Sequence, residues 1–168
     1  MKDNLLIAFK ALTFVLLQVL VLNHIQLFGW CGIYLYIIFI LTLPNRFKPI
    51  ISLLIAALYG GCIDIFSGVY GMHTATTVLI AYIRPSVLKL FVSQEQQEKG
   101  DPSAKNYNNA FYYYAFTLIF IHHTLLYLLE AFTLNGIGIT MLKALSSVGI
   151  TLLALILSQS IKNSRKES

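Results

Sequence analysis

Charged residues are scarce in this sequence, making up only 11% of its 168 residues, whereas 57% are hydrophobic. A soluble domain of this length would need more charge to cover its surface. Cysteine is also scarce, because Cys31 and Cys62 are too few for a disulfide framework or a zinc site. The two could form one bridge, although small buried residues are the preferred interpretation. The composition therefore predicts one integral membrane domain over residues 1–168.

Long apolar segments predict an all-α bundle of six transmembrane helices. The first is apolar except for Lys10 and Gln18, and no signal-peptide cleavage pattern follows it. The second opens with Phe28 and Trp30 and stops before Pro44. The predicted spans are 5–22, 26–43, 49–66, 72–91, 110–132 and 137–161. A polar segment, 93–109, predicts a solvated and mobile cytoplasmic loop.

Lys and Arg are missing from three of the loops, and this absence predicts the orientation of the chain. The loops near His24, 67–71 and Asn135 carry no basic residue. The opposite side carries Lys2, Arg46, Lys48, Lys99, Lys105, Lys162, Arg165 and Lys166. We therefore expect both termini in the cytoplasm.

Small residues and one acid recur every four residues along the third predicted helix. Ala56, Gly60, Asp64 and Gly68 would share one face while the helix lasts. Because small residues let helix backbones approach closely in lipid, this face is predicted to dock a partner. Asp64 could escape to water, but we prefer a carboxylate turned toward the unpaired amides at the start of helix four.

Other polar residues within the spans have structural interpretations. Arg84 either reaches the cytoplasmic headgroups or has a specific partner beside Pro85, which should kink its helix. Glu130 and Lys143 fall at similar depth and are predicted to form an intramembrane ion pair.

The histidines give no metal or catalytic pattern. His122 and His123 are adjacent on one helix, which favours packing or interhelical hydrogen bonding over metal ligation. His24 and His73 are expected to face water. No nucleophile, phosphate loop or paired carboxylate stands out, so we expect neither an enzyme nor a cofactor, metal or nucleic-acid partner.

Two short motifs carry a resemblance to a known family. The run GGCIDIFSGVYG over 60–71, followed by AYIRP over 81–85, resembles the rod shape-determining protein MreD. In that family a glycine, an acid and two further glycines mark the hairpin, matching Gly60, Asp64, Gly68 and Gly71. The resemblance covers nearly the whole chain in length and helix pattern. It implies a multi-pass cell-shape scaffold in the bacterial inner membrane. As part of the peptidoglycan elongation machinery, such a scaffold works with MreC, MreB filaments and the RodA/penicillin-binding synthase pair.

The MreD fold is similar to the substrate-binding subunits (S-components) of energy-coupling-factor vitamin importers, which supplies an alternative. Those subunits usually carry an Ala-x-x-x-Ala face on helix one. Here Ala8 and Ala11 are three apart with Lys10 between them, so the pattern fails. Polar residues of the outer half, Asp64, His73, Glu130 and Lys143, keep a small-molecule site possible.

Overall fold

The computed structural model describes residues 2–27, 31–133 and 135–164, with side chains described in 4–26, 31–133 and 135–160. The elements are α1 (Lys2–Leu20), a 3-10 turn (Leu22–His24), β1 (Gln26–Leu27), β2 (Cys31–Gly32), α2 (Ile37–Leu41), α3 (Pro49–Ser67), α4 (Met72–Phe91), α5 (Gln94–Glu98), α6 (Ala104–Tyr107), α7 (Asn109–Ala131) and α8 (Ile137–Ser164). The predicted interfacial residues Phe28 and Trp30, and Arg165 and Lys166 of the tail, lie outside the described residues.

Four helices are long and apolar enough to cross a membrane, which makes this a membrane protein by length and composition. They are Asn4–His24, Pro49–Ser67, Asn109–Ala131 and Ile137–Ser160. The helix α4 has a comparable length of 20 residues but is less apolar, because it carries three threonines, a histidine, an arginine and a lysine. Several of these polar side chains are buried inside the bundle.

The long helices pack as two hairpins with a shared interface. α3 packs along α4, α7 packs along α8, and α4 packs against α7, while α1 lies on α3. Pro49 begins α3 at a position where proline's missing N–H costs nothing. Five of the six predicted spans therefore coincide with helices to within three residues.

The helix predicted at 26–43 is wrong. Residues 26–32 instead contain a two-residue antiparallel pairing, Gln26 with Gly32 and Leu27 with Cys31. The chain is then irregular as far as Tyr36, and α2 supplies only five helical residues. The stretch 36–41 is almost completely buried in the middle of the bundle. We call residues 31–43 the core segment.

Side chains from all five long helices hold the backbone of the core segment. Their hydrogen bonds are Gln18 Nε2 to Ile33 O (2.8 Å), Leu35 N to Gln18 Oε1 (3.1 Å), Gly32 N to Tyr127 Oη (2.9 Å), Ser147 Oγ to Gly32 O (2.7 Å), Tyr59 Oη to Tyr36 O (3.2 Å), Tyr114 Oη to Leu41 O (2.9 Å) and Arg84 Nη2 to Leu43 O. A non-helical backbone in apolar surroundings must find such partners or lose several kcal/mol per orphaned group. The surrounding helices therefore replace the hydrogen bonds that a helix would have made within itself.

The polar segment 93–109 is more ordered than predicted. Ser93 and Gln96 form a capping box at the start of α5, and Ser103 caps α6. Tyr107 is fully buried, donates a hydrogen bond to Gly100 O (2.9 Å) and accepts one from Asn45 Nδ2 (2.6 Å). Burial raises the pKa of this phenol, so it stays protonated as a donor.

Candidate functional site

Asp64 caps the neighbouring helix, as the sequence predicts. Its Oδ1 accepts a hydrogen bond from His73 N (2.9 Å), and its Oδ2 accepts bonds from Thr74 N (2.9 Å) and Thr74 Oγ1 (2.5 Å). These amides belong to the first turn of α4, whose own N-cap, Gly71, has no side chain to offer. The carboxylate is buried, and the dipole of α4 favours its negative charge. Asp64 therefore locks the geometry of the α3–α4 hairpin.

The face carrying Ala56, Gly60 and Asp64 docks α4 of the same chain. A Cβ added to Gly60 would lie 2.6 Å from Thr74 Cα and 2.8 Å from His73 O. Thr77 Oγ1 reaches across the contact to Ala56 O at 3.0 Å. The prediction that this face meets a partner protein is corrected here, because α4 already covers it in the described structure.

Gly68 and Gly71 have a different role from Gly60. Both have positive φ, at 67° and 79°, and a Cβ at either position would meet nothing within 4 Å. Glycine is therefore favoured there by backbone conformation rather than by crowding. Together they make the sharp turn that brings Asp64 back to the start of α4.

A buried hydrogen-bond network lies behind this hairpin. Tyr36 Oη lies 2.8 Å from His73 Nδ1 on α4 and 2.8 Å from His122 Nε2 on α7. Because a hydroxyl carries one proton, Tyr36 donates to one imidazole and accepts from the other. His123 Nε2 continues to Thr151 Oγ1 on α8 at 3.1 Å, and its Nδ1 lies 2.9 Å from Ile119 O.

This network confirms the predicted interhelical hydrogen bonding of His122 and His123. It corrects the expectation for His73, which is buried with only 6% of its surface exposed. His24 is exposed, as expected. The three buried histidines thus tie α4, α7 and α8 to Tyr36 of the core segment, which stabilises a specific arrangement of the bundle.

A cluster of aromatic rings and hydroxyl groups extends the network toward the end of the bundle where α1 ends. The ring of Tyr34 packs within 6.3 Å of the rings of Tyr36, His73, His123 and Tyr127. Cys31 Sγ lies 3.1 Å from Ser147 Oγ, which also contacts Tyr127 Oη at 2.8 Å.

The two cysteines occupy different environments. Cys31 is buried and Cys62 is exposed, and both are free thiols. No bridge joins them, and the expectation that both are buried holds for Cys31 alone.

A cavity of about 220 Å³ opens beside Tyr34, with His73 and Glu130 also in its lining. Glu130 is exposed. The predicted ion pair of Glu130 with Lys143 is not formed between these two described side chains. Glu130 ends α7 and faces this opening instead, so its charge needs no partner inside the bundle.

Arg84 has specific partners at the opposite end of the bundle. It is buried, and its Nε donates to Tyr114 Oη at 3.0 Å. Its Nη2 donates to Leu43 O and to Asn45 Oδ1 (3.2 Å). Of the two predicted alternatives, a specific partner is therefore correct. Pro85 is exposed within α4, which continues through it to Phe91.

The residues that sequence reasoning missed are those that bind the core segment. Gln18 and Tyr36 are both fully buried, and Tyr59, Tyr114 and Tyr127 each direct a hydroxyl at backbone or side-chain partners. The available signal was a lone glutamine in an apolar span, because such a residue needs a partner inside the protein.

Comparisons with known proteins leave the family open: no family model, curated protein or solved structure matches the chain.

Proposed function

We propose that this protein is a non-enzymatic, six-crossing scaffold subunit of the bacterial inner membrane that assembles cell-wall elongation proteins. The resemblance of its hairpin motif to MreD suggests the complex, with an MreC-like protein as direct partner. The RodA/penicillin-binding synthase pair and MreB filaments would then be recruited through the same assembly.

Contacts along α1 support six crossings despite the missing second helix. Asn4 accepts a hydrogen bond from Arg46, Lys10 donates to Thr42, and Gln18 meets Ile33, so 33–46 runs antiparallel to α1. An irregular segment can cross lipid when protein covers it.

The sidedness of the loops also agrees with six crossings. Asn45 N donates to Asp101 Oδ1 at 3.0 Å, which joins two of the loops predicted to be cytoplasmic. At the other end, Asn23 Nδ2 donates to Ser67 Oγ at 2.7 Å. The basic loops therefore share one end of the bundle, as the positive-inside pattern requires.

The choice of scaffold over importer rests on the cavity beside Tyr34, because this cavity opens at the end of the bundle predicted to face outward, from which an importer takes its substrate. Its volume of about 220 Å³ lies below the range of about 300–1,000 Å³ that is usual for small-molecule sites. The polar groups behind it are bonded to one another, and Thr124 Oγ1 is the one fully enclosed side-chain N or O atom without a partner among the described residues. A cavity this small, backed by polar groups that satisfy each other, suits a rigid scaffold better than a vitamin-binding subunit.

Partner docking then falls on the outward side of the hairpin. Leu54, Leu58 and Ile65 are exposed on α3, at 58%, 74% and 78%, on the side away from Gly60. In a bilayer this surface meets either lipid or a partner's helix through van der Waals packing.

A pull-down in mild detergent with mass spectrometry tests the proposal. Elongation proteins should co-purify with the unaltered chain, and Leu54→Ala with Leu58→Ala should reduce their recovery about tenfold. The matched control is Leu153→Ala with Leu157→Ala on α8, where both leucines are 63% exposed. Equal recovery from both variants would contradict docking through the hairpin.

The alternative, a vitamin-type binding subunit of an importer, is favoured by one observation: His73, Tyr34 and Glu130 converge on the cavity. An ATPase coupling module in the same eluate, without elongation proteins, would replace the scaffold proposal with this one.

A further inference from the structure

A lateral groove larger than the cavity beside Tyr34 lies between α1 and α8. Its volume is about 750 Å³. Phe9 and Thr13 of α1 form one wall, Ser158 and Gln159 of α8 lie on the other, and the core segment with 101–106 closes the base. The groove exists because α1 packs on α3 while α8 packs on α7, which leaves the two helices apart.

The lining is apolar over most of its surface, and residues 101–106 contribute polar side chains to it. Leu6, Phe9, Phe14, Ile38 and Phe39 supply apolar side chains. Lys10 and Lys105 supply positive charge, opposed by one acid, Asp101, whose Oδ1 already accepts the N–H of Asn45. A long apolar trough with a cationic end matches an acyl chain attached to a negatively charged headgroup.

Two polar side chains in this groove have no hydrogen-bond or ion-pair partner within the part of the chain that the structure describes. Gln159 is 7% exposed, yet it forms no hydrogen bond among the described residues. Its amide atoms are not fully enclosed, because Thr124 Oγ1 is the one enclosed and unsatisfied side-chain atom among the described residues, and Gln159 lines the groove. Lys105 is exposed and is likewise unpaired among those residues. A buried amide without a partner is destabilising, which favours a bound group that it can contact.

We infer that the groove between α1 and α8 binds one anionic phospholipid. Its acyl chain lies along Phe9, Phe14 and Phe39, its glycerol ester or phosphate oxygens accept from the Gln159 amide, and its negative charge lies near Lys105. The inference rests on the membrane placement proposed above and not on any partner protein. A zwitterionic lipid would place an unmatched ammonium group beside the lysines, so net negative charge is the preferred chemistry.

Native mass spectrometry of the delipidated full chain tests this, using phosphatidylglycerol and phosphatidylcholine with identical acyl chains as probes. We expect one retained phosphatidylglycerol, held more tightly than phosphatidylcholine. Lys105→Gln should reduce the retention of phosphatidylglycerol about fivefold, with little effect on phosphatidylcholine. Lys89→Gln, at the same end of the bundle but outside the groove, is the control and should change neither. Thr13→Trp should block both lipids, whereas Leu12→Trp on the lipid side should not.

Gln159→Leu provides a second readout that does not depend on lipid. If the Gln159 amide is unpaired until a lipid binds, the delipidated variant should be at least as stable as the delipidated unaltered chain. It should also retain less of both lipids. A loss of stability in the delipidated state would show that Gln159 bonds within the chain and would overturn its role.

Equal retention of both lipids, unaffected by Lys105→Gln and Thr13→Trp, would mean annular lipid only and overturn the inference. A co-purified polypeptide that cross-links to Thr13 and excludes lipid would also overturn it. Neither result depends on recovering elongation proteins, so failure here is distinguishable from failure of the scaffold proposal.

Discussion

The helix α1 and the core segment are neighbouring apolar stretches that differ in both burial and backbone structure. Only 11% of the apolar window of α1 is buried inside the protein, and it is a regular helix. Most of the core segment is buried, with 36–41 almost completely enclosed, and only α2 within it is helical. An apolar run therefore predicts an apolar environment, which can be lipid or protein. Only contact with lipid requires the backbone to satisfy its own hydrogen bonds.

The largest expected effect comes from Gln18→Leu, which removes the side chain linking these two regions. Ile33 O and Leu35 N, which are half-buried, would lose their partner, at up to about 1–3 kcal/mol each. We expect a loss of up to about 6 kcal/mol in unfolding free energy by denaturant titration in detergent. Leu12→Ala, exposed on the same helix, is the control and should change stability by less than about 0.5 kcal/mol. Similar losses in both variants would contradict the role of Gln18.

Arg84→Met removes the donor at the other end of the core segment while keeping an apolar stem. Leu43 O and Asn45 lose hydrogen bonds, and the loss is partly offset because a buried charge disappears. The same titration should show a loss of about 2–4 kcal/mol. Lys89→Met, exposed on the same helix, should be nearly neutral. If Arg84→Met lost as little unfolding free energy as Lys89→Met, Arg84 would not be needed to hold the core segment in place.

Gly60 and Gly61, which are adjacent in α3, should respond differently to the same substitution, although the expected change in stability is smaller. Gly60→Ala forces a Cβ within 2.6 Å of Thr74 Cα and should cost about 1–3 kcal/mol through overpacking. At Gly61 the nearest atom to a new Cβ is Thr74 Oγ1 at 3.7 Å, so Gly61→Ala should be neutral, or stabilising by up to about 1 kcal/mol. Thermal unfolding of the two variants side by side measures the difference. Equal effects would refute the internal packing of the Gly60 face.

The smallest effect is expected at Glu130 and Lys143. Since no ion pair joins them, Glu130→Gln and Lys143→Gln should each be nearly neutral, and the double variant should equal their sum. A coupling energy above about 0.5 kcal/mol in a double-mutant cycle would restore the ion pair predicted from the sequence.

Local signals in the sequence predicted the hairpin but not the core segment. Pro49, Gly68 and Gly71 act on their own backbone, and Asp64 acts on amides only nine and ten residues away. These effects can be read from spacing.

Partners of the core segment cannot be read in that way. Tyr114 bonds Leu41 across 73 residues, and Tyr127 bonds Gly32 across 95. Hydropathy predicted a helix at 26–43 because it does not distinguish lipid from a protein interior. The prediction of a Glu130–Lys143 ion pair was wrong for a related reason, because two residues at the same depth can still direct their side chains away from each other.

Solid-state NMR of the protein in bilayers tests the central claim most directly, through the backbone chemical shifts of Ile33, Leu35 and Ile38. We expect non-helical values at Ile33 and Leu35 and helical values at Ile38, with the Ile33 and Leu35 signals moving in Gln18→Leu. Helical shifts at all three, insensitive to Gln18→Leu, would contradict a core segment held by side chains and would restore an ordinary second transmembrane helix.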